Sequence, residues 1–227
     1  MAIFRLDSRF PELFPDPLLT SGNSPACFGG GLSPEWLFNA YHLGYFPWFS
    51  ENEPIFWWHP DPRFVLFPSR LKVSKSMRPY FNQQKYTVRY DTQFRTVMNN
   101  CREVYRDGQW GSWITDELVE GYVGLHEMGL AHSVEVYEDD ELVGGLYGLA
   151  LGKVFFGESM FHHRPNASKF AFITLVRRLQ SEGYRVIDCQ QETGHLKSLG
   201  GEAVSRREFL DLIGPIREEP GVRSKWS

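Results

Sequence analysis

Cysteine is scarce in this chain: three in 227 residues (Cys27, Cys101 and Cys189), an odd number with no Cys-x-x-Cys spacing. That argues against a disulfide framework and against a thiolate zinc site, and it implies a reducing compartment, with the cytosol as the expected location. Long apolar runs are also missing. None approaches the roughly 18 residues that would span a bilayer, and the opening Met1-Ala-Ile-Phe-Arg-Leu-Asp-Ser-Arg-Phe10 lacks the basic-then-apolar build of a secretory signal. No internal repeat or low-complexity tract is present. A strong charge of either sign is absent as well: 24 Lys and Arg against 28 Asp and Glu give a net −4, which offers no overall attraction to nucleic acid. What remains is a globular chain long enough to bury a sizeable core as one domain or two.

The near-neutral total conceals a segregation. Residues 61–106 hold ten Lys and Arg against three acids, a balance of +7, and residues 107–160 hold one Lys against eleven acids, a balance of −10. Such asymmetry marks either an electrostatic partner or two solvated faces. Aromatics are abundant, at 15% of the chain with seven Trp. They crowd residues 45–68, where closely spaced prolines argue against regular structure and favour an aromatic-rich platform. Residues 1–30, rich in Pro, Gly and Ser, read as an extended arm.

Local signals divide the rest. Ser33 and Pro34 suit the start of a helix over 34–43, which Gly44 ends. Strands are predicted over 63–67 and 86–90, and helices over 74–81 and 92–102. A second unit is expected to begin near residue 110. Thr115 caps a helix with Asp116 and Glu117 in its first turn, closed by Gly129. Residues 131–137 and 141–150 form a hairpin around Glu138-Asp139-Asp140, and Leu151-Gly152 turns into a third strand over 153–161. A long helix over 166–182, a strand over 186–190 and a short helix over 195–199 follow. Strand, helix, strand sets 153–161 parallel to 186–190 and brings Glu158, Asp188 and Gln190 to one sheet edge, where such folds bind ligands. The order of elements resembles the acetyltransferase-type fold. The fold class is therefore α+β / α/β: a small N-terminal α/β domain (an arm, helix and platform over 1–62, then a basic stretch over 63–109) and a GNAT-like mixed-sheet domain over 110–227. Acetyl-coenzyme-A enzymes of that fold carry a glycine-rich loop before the long helix. Here Phe161-His-His-Arg-Pro-Asn-Ala-Ser-Lys169 has no glycine to let backbone N–H groups reach a pyrophosphate.

The motifs are more specific than the periodicity. Leu32-Ser-Pro34, Gly44-Tyr-Phe-Pro-Trp-Phe49, Trp57-Trp58, Pro60-Asp-Pro-Arg63, Trp113-Ile-Thr115, Ala131-His-Ser-Val-Glu-Val136, Leu142-Val-Gly-Gly-Leu-Tyr-Gly148, Gly157-Glu-Ser-Met-Phe161, Asn166-Ala-Ser-Lys169, Asp188-Cys-Gln190 and His195-Leu-Lys-Ser-Leu-Gly200 occur in this order. Together they resemble the leucyl/phenylalanyl-tRNA–protein transferase family from about residue 28 to about 212. There are departures: Gly31, Gly201, Ser205 and His162-His163 stand where the family commonly has Asp, Ala, Pro and Ser-Arg.

The resemblance implies transfer of Leu or Phe, with Met as a further candidate, from aminoacyl-tRNA to the α-amino group of a protein beginning with Arg or Lys, marking it for N-degron degradation. It implies no cofactor, ATP, metal or membrane. The alternatives are a coenzyme-A-dependent N-acetyltransferase and a non-catalytic tRNA- or peptide-binding module. Asp188 and Gln190 match the family's catalytic pair; at i and i+2 they share one face of a strand. Gln190 either orients the amine through its carbonyl, with Asp188 orienting Gln190, or donates to the developing oxyanion. Glu158 is expected in the same cleft, binding the substrate. Leu146, Phe155, Met160, Phe172 and Leu175 correspond to an apolar donor pocket, Trp48 and Trp113 to contacts with the terminal adenosine, and Lys75 and Arg78 to a tRNA-binding cluster that Pro79 and Gln83-Gln84 interrupt. Cys189 should face the opposite side as a core thiol, and His195 is expected to be structural.

Overall fold

The computed structural model describes residues 3–22, 24–104, 112–217 and 224–227; the unit boundary expected near residue 110 lies outside the described residues. In chain order the elements are β1 (Phe4–Leu6), β2 (Cys27–Gly29), α1 (Pro34–His42), β3 (Phe46–Pro47), β4 (Phe56–Trp58), β5 (Arg63–Leu66), α2 (Arg78–Asn82), β6 (Thr87–Tyr90), α3 (Phe94–Glu103), α4 (Asp116–Glu127), β7 (Ala131–Glu138), β8 (Glu141–Leu151), β9 (Val154–His162), α5 (Ala167–Ser181), β10 (Val186–Asp188), α6 (Gly194–Ser198), β11 (Glu202–Val204) and α7 (Arg206–Ile213). Two sheets result. A small one has the order β1-β2-β4-β3, and a seven-stranded one has the order β11-β5-β10-β9-β8-β7-β6.

The core of the large sheet follows the expected plan. β7, β8 and β9 are antiparallel, α5 follows, and β10 returns parallel to β9, as in the acetyltransferase-type arrangement. Two apolar layers cover it. On one face α5 packs Phe172, Leu175 and Val176 over Val134, Leu146 and Ile187. On the other, α1 and α4 bring Trp36, Tyr41 and Tyr122 against Tyr147 and Phe156. At roughly 1.5–3 kcal/mol per buried large side chain, these layers dominate the folding energy. The α1–α4 crossing is close: a Cβ on Gly121 would lie 2.0 Å from the Leu32 carbonyl oxygen.

Three regions differ from expectation. The 1–30 arm carries β1 and β2 and buries Leu6, Ala26 and Cys27. The platform over 45–68 contains β3 and β4, which pair with each other and with β2. Strands of two or three residues are too short to show a period, so the sequence pattern could not reveal them. Beyond 199, β11 joins β5, and Ser205 starts α7 with a capping box that includes Glu208.

The charge segregation also resolves. Arg95 pairs with Glu120, Arg102 with Asp116, Lys85 with Glu138 and Arg89 with Asp140, so much of the basic stretch meets the acidic stretch within the molecule. Lys72, Lys75 and Arg78 are exposed and form no ion pair among the described residues. No helix among the described residues is long and apolar enough to cross a membrane.

Candidate active site

The site grows from a divergence of strands. β10 pairs with β9 only from Val186 to Asp188, opposite Val154 to Phe156, while β9 continues alongside β8. The β8–β9 ladder slips between Tyr147 and Gly148, matching Tyr147 to Ser159 and Gly148 to Gly157, so Glu158 is an extra residue without a partner. A bulge re-aims side chains. Glu158 joins Tyr41 of the α1–α4 layer, whereas Met160, two residues on and opposite Leu146, packs into the layer beneath α5. Simple alternation would have put both on one face.

A cleft of about 330 Å³ opens where the strands part. Phe46, Trp48 and Trp113 lie on one side and Leu146, Phe155, Met160 and Phe172 on another, and Glu158, Asp188, Cys189 and Gln190 complete the wall. Trp48 and Trp113 are half-buried. The Trp58 indole donates to the Trp48 carbonyl at 2.7 Å, holding that turn. Leu175 is fully buried in the core beneath α5 and is not part of the lining. Lys75 and Arg78 are exposed at the start of α2 and do not line the cleft.

Asp188, the last residue of β10, is wholly buried and is held at both oxygens by Arg63. Nε donates to Oδ1 at 2.8 Å and Nη2 to Oδ2 at 2.6 Å. The guanidinium sits between the rings of Phe46 and Phe209, 4.7 and 4.6 Å from their centroids, which fixes its plane. The strand stops here. Gln190 is not extended as expected but left-handed, with φ +63°. Its backbone N–H donates to Asp188 Oδ1 at 2.9 Å, so Asp188 positions Gln190 through the main chain. The Gln190 side chain runs instead to Glu158, donating from Nε2 to Oε1 at 2.8 Å.

Glu158 Oε1 also accepts from Tyr41 Oη at 2.6 Å, and Tyr41 Oη lies 2.5 Å from Tyr122 Oη. Burial is the main cause pushing the Glu158 carboxyl up to about 8; the Asp188 charge adds to it, and the two tyrosine hydroxyls and Arg63 oppose it. Burial, with Glu158 nearby, raises both tyrosines well above their ordinary range, so they remain protonated donors. A carboxyl whose folded pKa is raised contributes stability below its unfolded value that is lost as pH rises through the folded one. Glu158→Gln should therefore remove a loss of stability that the parent shows between about pH 4.5 and 8. In thermal unfolding at pH 5 and pH 9, the difference between the two proteins should change by roughly 5–10 °C in favour of the variant at high pH. Parallel pH profiles would mean that Glu158 does not titrate in this range.

Cys189 lines the cleft rather than facing away from it. Its thiol is pushed up by burial first and then by the Asp188 charge, which opposes thiolate chemistry. His195 also lines the cleft; burial, then Lys169 and His162, lower its pKa. Arg63, Tyr41 and Tyr122 had no assigned role in the sequence. Arg63 stood inside a matched motif, but only the fold discloses that its partner lies 125 positions away. Among the described residues, no group of three or more His, Cys, Asp or Glu side chains is placed to hold a metal ion.

An apolar slot and an amide–carboxyl wall stand where the parallel strands of an acetyltransferase-type sheet part, and that sheet gives the class of the fold. Family models narrow the class: residues 65–214 match leucyl/phenylalanyl-tRNA protein transferase, and residues 30–61 match the N-terminal domain of the same family. The chain belongs to the leucyl/phenylalanyl-tRNA–protein transferase family and is an aminoacyltransferase. It is 50% identical over 227 residues to the Leucyl/phenylalanyl-tRNA–protein transferase of Myxococcus xanthus, covering all of this chain and 97% of that one. With the protein of that name from Christiangramia forsetii it shares 54% over 184 residues, 80% of this chain and 87% of the other. Among solved structures, a conserved protein of unknown function from Bacteroides thetaiotaomicron aligns at 13% identity with a TM-score of 0.46, over 61% of this chain and 54% of that one.

Proposed function

We propose that this aminoacyltransferase moves Leu or Phe from the 3′ end of aminoacyl-tRNA to the α-amino group of proteins beginning with Arg or Lys, marking them for N-degron degradation in the cytosol. The observation that carries this reading is one cleft that joins an apolar slot, two half-buried Trp rings and the Glu158–Gln190 pair. In the reaction the amine nitrogen attacks the ester carbonyl carbon. The carbon–oxygen bond to the ribose then breaks, and the hydroxyl leaves on the tRNA with the proton the amine gives up. No input of energy is needed, since an amide replaces an activated ester. Positioning the two substrates lowers the barrier by roughly 7–11 kcal/mol. An α-amino group with a pKa of about 7.7–8.0 is partly neutral already.

Gln190, donating from Nε2 to Glu158, turns its carbonyl oxygen to the attacking amine and orients the lone pair. Glu158 anchors that amide, and a cationic acceptor beside it favours the ionised form of a carboxyl otherwise pushed up to about 8. Asp188, enclosed by Arg63 and the Gln190 N–H, is a positioning residue. Leu146, Met160 and Phe172 receive the donor side chain, with Phe155 at the base, and Leu175 supports them from the core. An unbranched Met adapts to Leu or Phe. Trp48 and Trp113 stack the terminal adenine, worth roughly 1–3 kcal/mol per base, and the exposed Lys75 and Arg78 meet the phosphate backbone.

Single-turnover transfer from labelled Leu-tRNA to peptides starting with Arg, Lys, Ala or Glu tests this. Label on the Arg and Lys peptides alone is the expected result. Binding of the tRNA without transfer to any peptide would leave a binding module, and acetylation by acetyl-coenzyme A would move the chain to the other enzyme class. Met160→Ala should lower transfer of Leu and Phe by about tenfold relative to smaller donors. An unchanged donor profile would remove Met160 from the slot.

A further inference from the structure

The apolar layer beneath α5 also packs against Trp226. Trp226, far from the cleft residues in sequence, lies face to face with His132, ring centroids 4.0 Å apart and planes 2° apart, and stacks on Phe155 at 5.9 Å. Arg178 of α5 covers the indole at 4.9 Å, and Tyr90 meets it edge-on at 6.1 Å. The seat is built rather than incidental. Asp91, with a side chain 1% exposed, accepts the Trp226 backbone N–H at 2.6 Å, pairs with His132 Nδ1 at 2.8 Å and accepts the Ser133 N–H at 2.9 Å. Arg178 Nη1 also donates to the Ser227 carbonyl oxygen at 3.1 Å. Two charged side chains and three aromatic rings thus hold one indole.

What the indole touches matters more than how it is held. Phe155 is 1% exposed; it lines the cleft and also stacks on Trp226. A Cβ at Gly148 would fall 2.6 Å from the Phe155 ring, so that glycine lets the ring lie against the backbone of β8, between cleft and indole. A close-packed interior transmits the position of one side of a ring to the other.

We propose that Trp226 is a specificity-determining residue that sets the depth of the donor pocket by backing Phe155, an inference that rests on reading the apolar half of the cleft as that pocket. Removing the indole leaves space into which Phe155 can withdraw. The pocket deepens, and the longer Phe side chain gains on Leu. Binding energy at this position acts on the donor alone, so acceptor preference stays as it was.

The experiment measures kcat/KM for Leu-tRNA and Phe-tRNA with one Arg-starting peptide, using the full chain as parent, Trp226→Ala, Trp226→Phe and Met160→Ala. Trp226→Ala should raise the Phe-to-Leu ratio by roughly fivefold, mainly through KM, and Trp226→Phe should fall between it and the parent. Circular dichroism establishes that each variant is folded; if the alanine variant is not, a ratio for Trp226→Phe above the parent's supports the proposal and an unchanged one overturns it. A ratio within twofold of the parent in Trp226→Ala, with Met160→Ala shifted, would make Trp226 a structural plug only. No shift in any variant would overturn the donor-pocket reading itself.

Discussion

Arg63→Ala is expected to cost about 3–5 kcal/mol of stability and to leave transfer undetectable in the protein that still folds. Arg63 and Asp188 are both 0% exposed and joined by two hydrogen bonds. Losing the guanidinium strands a carboxylate among Phe46, Phe209 and the ends of three strands, where water cannot replace it. Urea denaturation gives the first number. The double variant Arg63→Ala, Asp188→Ala should regain part of the loss, because no unpaired charge remains, without regaining transfer. Asp188→Asn completes the series. It weakens the anchor of the Gln190 N–H, so transfer should fall by about 10²–10³-fold. Aminoacyl-tRNA should still bind within a few-fold, because Asp188 has no exposed surface to offer it. Equal loss of binding and transfer in Asp188→Asn would move the residue from positioning to recognition.

Gln190 should show the opposite separation of stability and activity. It is a non-glycine residue at φ +63°, a conformation that costs of the order of 1 kcal/mol, and its side chain is only part-buried. Gln190→Gly relieves that strain, so the folded state should gain up to about 1 kcal/mol while transfer falls by about 10²–10³-fold. Gln190→Ala keeps the strain and should lose the same activity with no gain. Chemical denaturation beside single-turnover transfer reads both quantities. A Gln190→Gly protein that transfers at the parental rate would show that the amide has no part in orienting the amine. Strain at a chemically useful amide is what a functional site can retain when the surrounding fold holds it in place.

How much of this was visible in the chain varies from element to element. The three antiparallel strands, the long helix and the returning parallel strand carried long, clear patterns, and they stand where expected. β3 and β4 could not be seen, because two or three residues in an aromatic- and proline-dense stretch have no measurable period. Glu158, Asp188 and Gln190 could be placed at one sheet edge from spacing alone. Their actual relation could not, because it depends on a bulge at Glu158 and on a strand that ends two residues before Gln190. The charge blocks were legible as blocks; that they pair with each other through Arg95–Glu120 and Arg102–Asp116 was not.

The sequence by itself determined the class of fold, the family and the residues that meet at the parted strands, because periodicity and motif order are local properties of a chain. Only the tertiary structure decided that Arg63 pairs with Asp188, that Tyr41 and Tyr122 stand behind a Glu158 whose carboxyl is pushed up to about 8, and that Trp226 stacks on Phe155 of the cleft wall. Each of these joins positions scores of residues apart. Charge, protonation and pocket depth depend on what burial brings together, and the order of residues along the chain does not specify that.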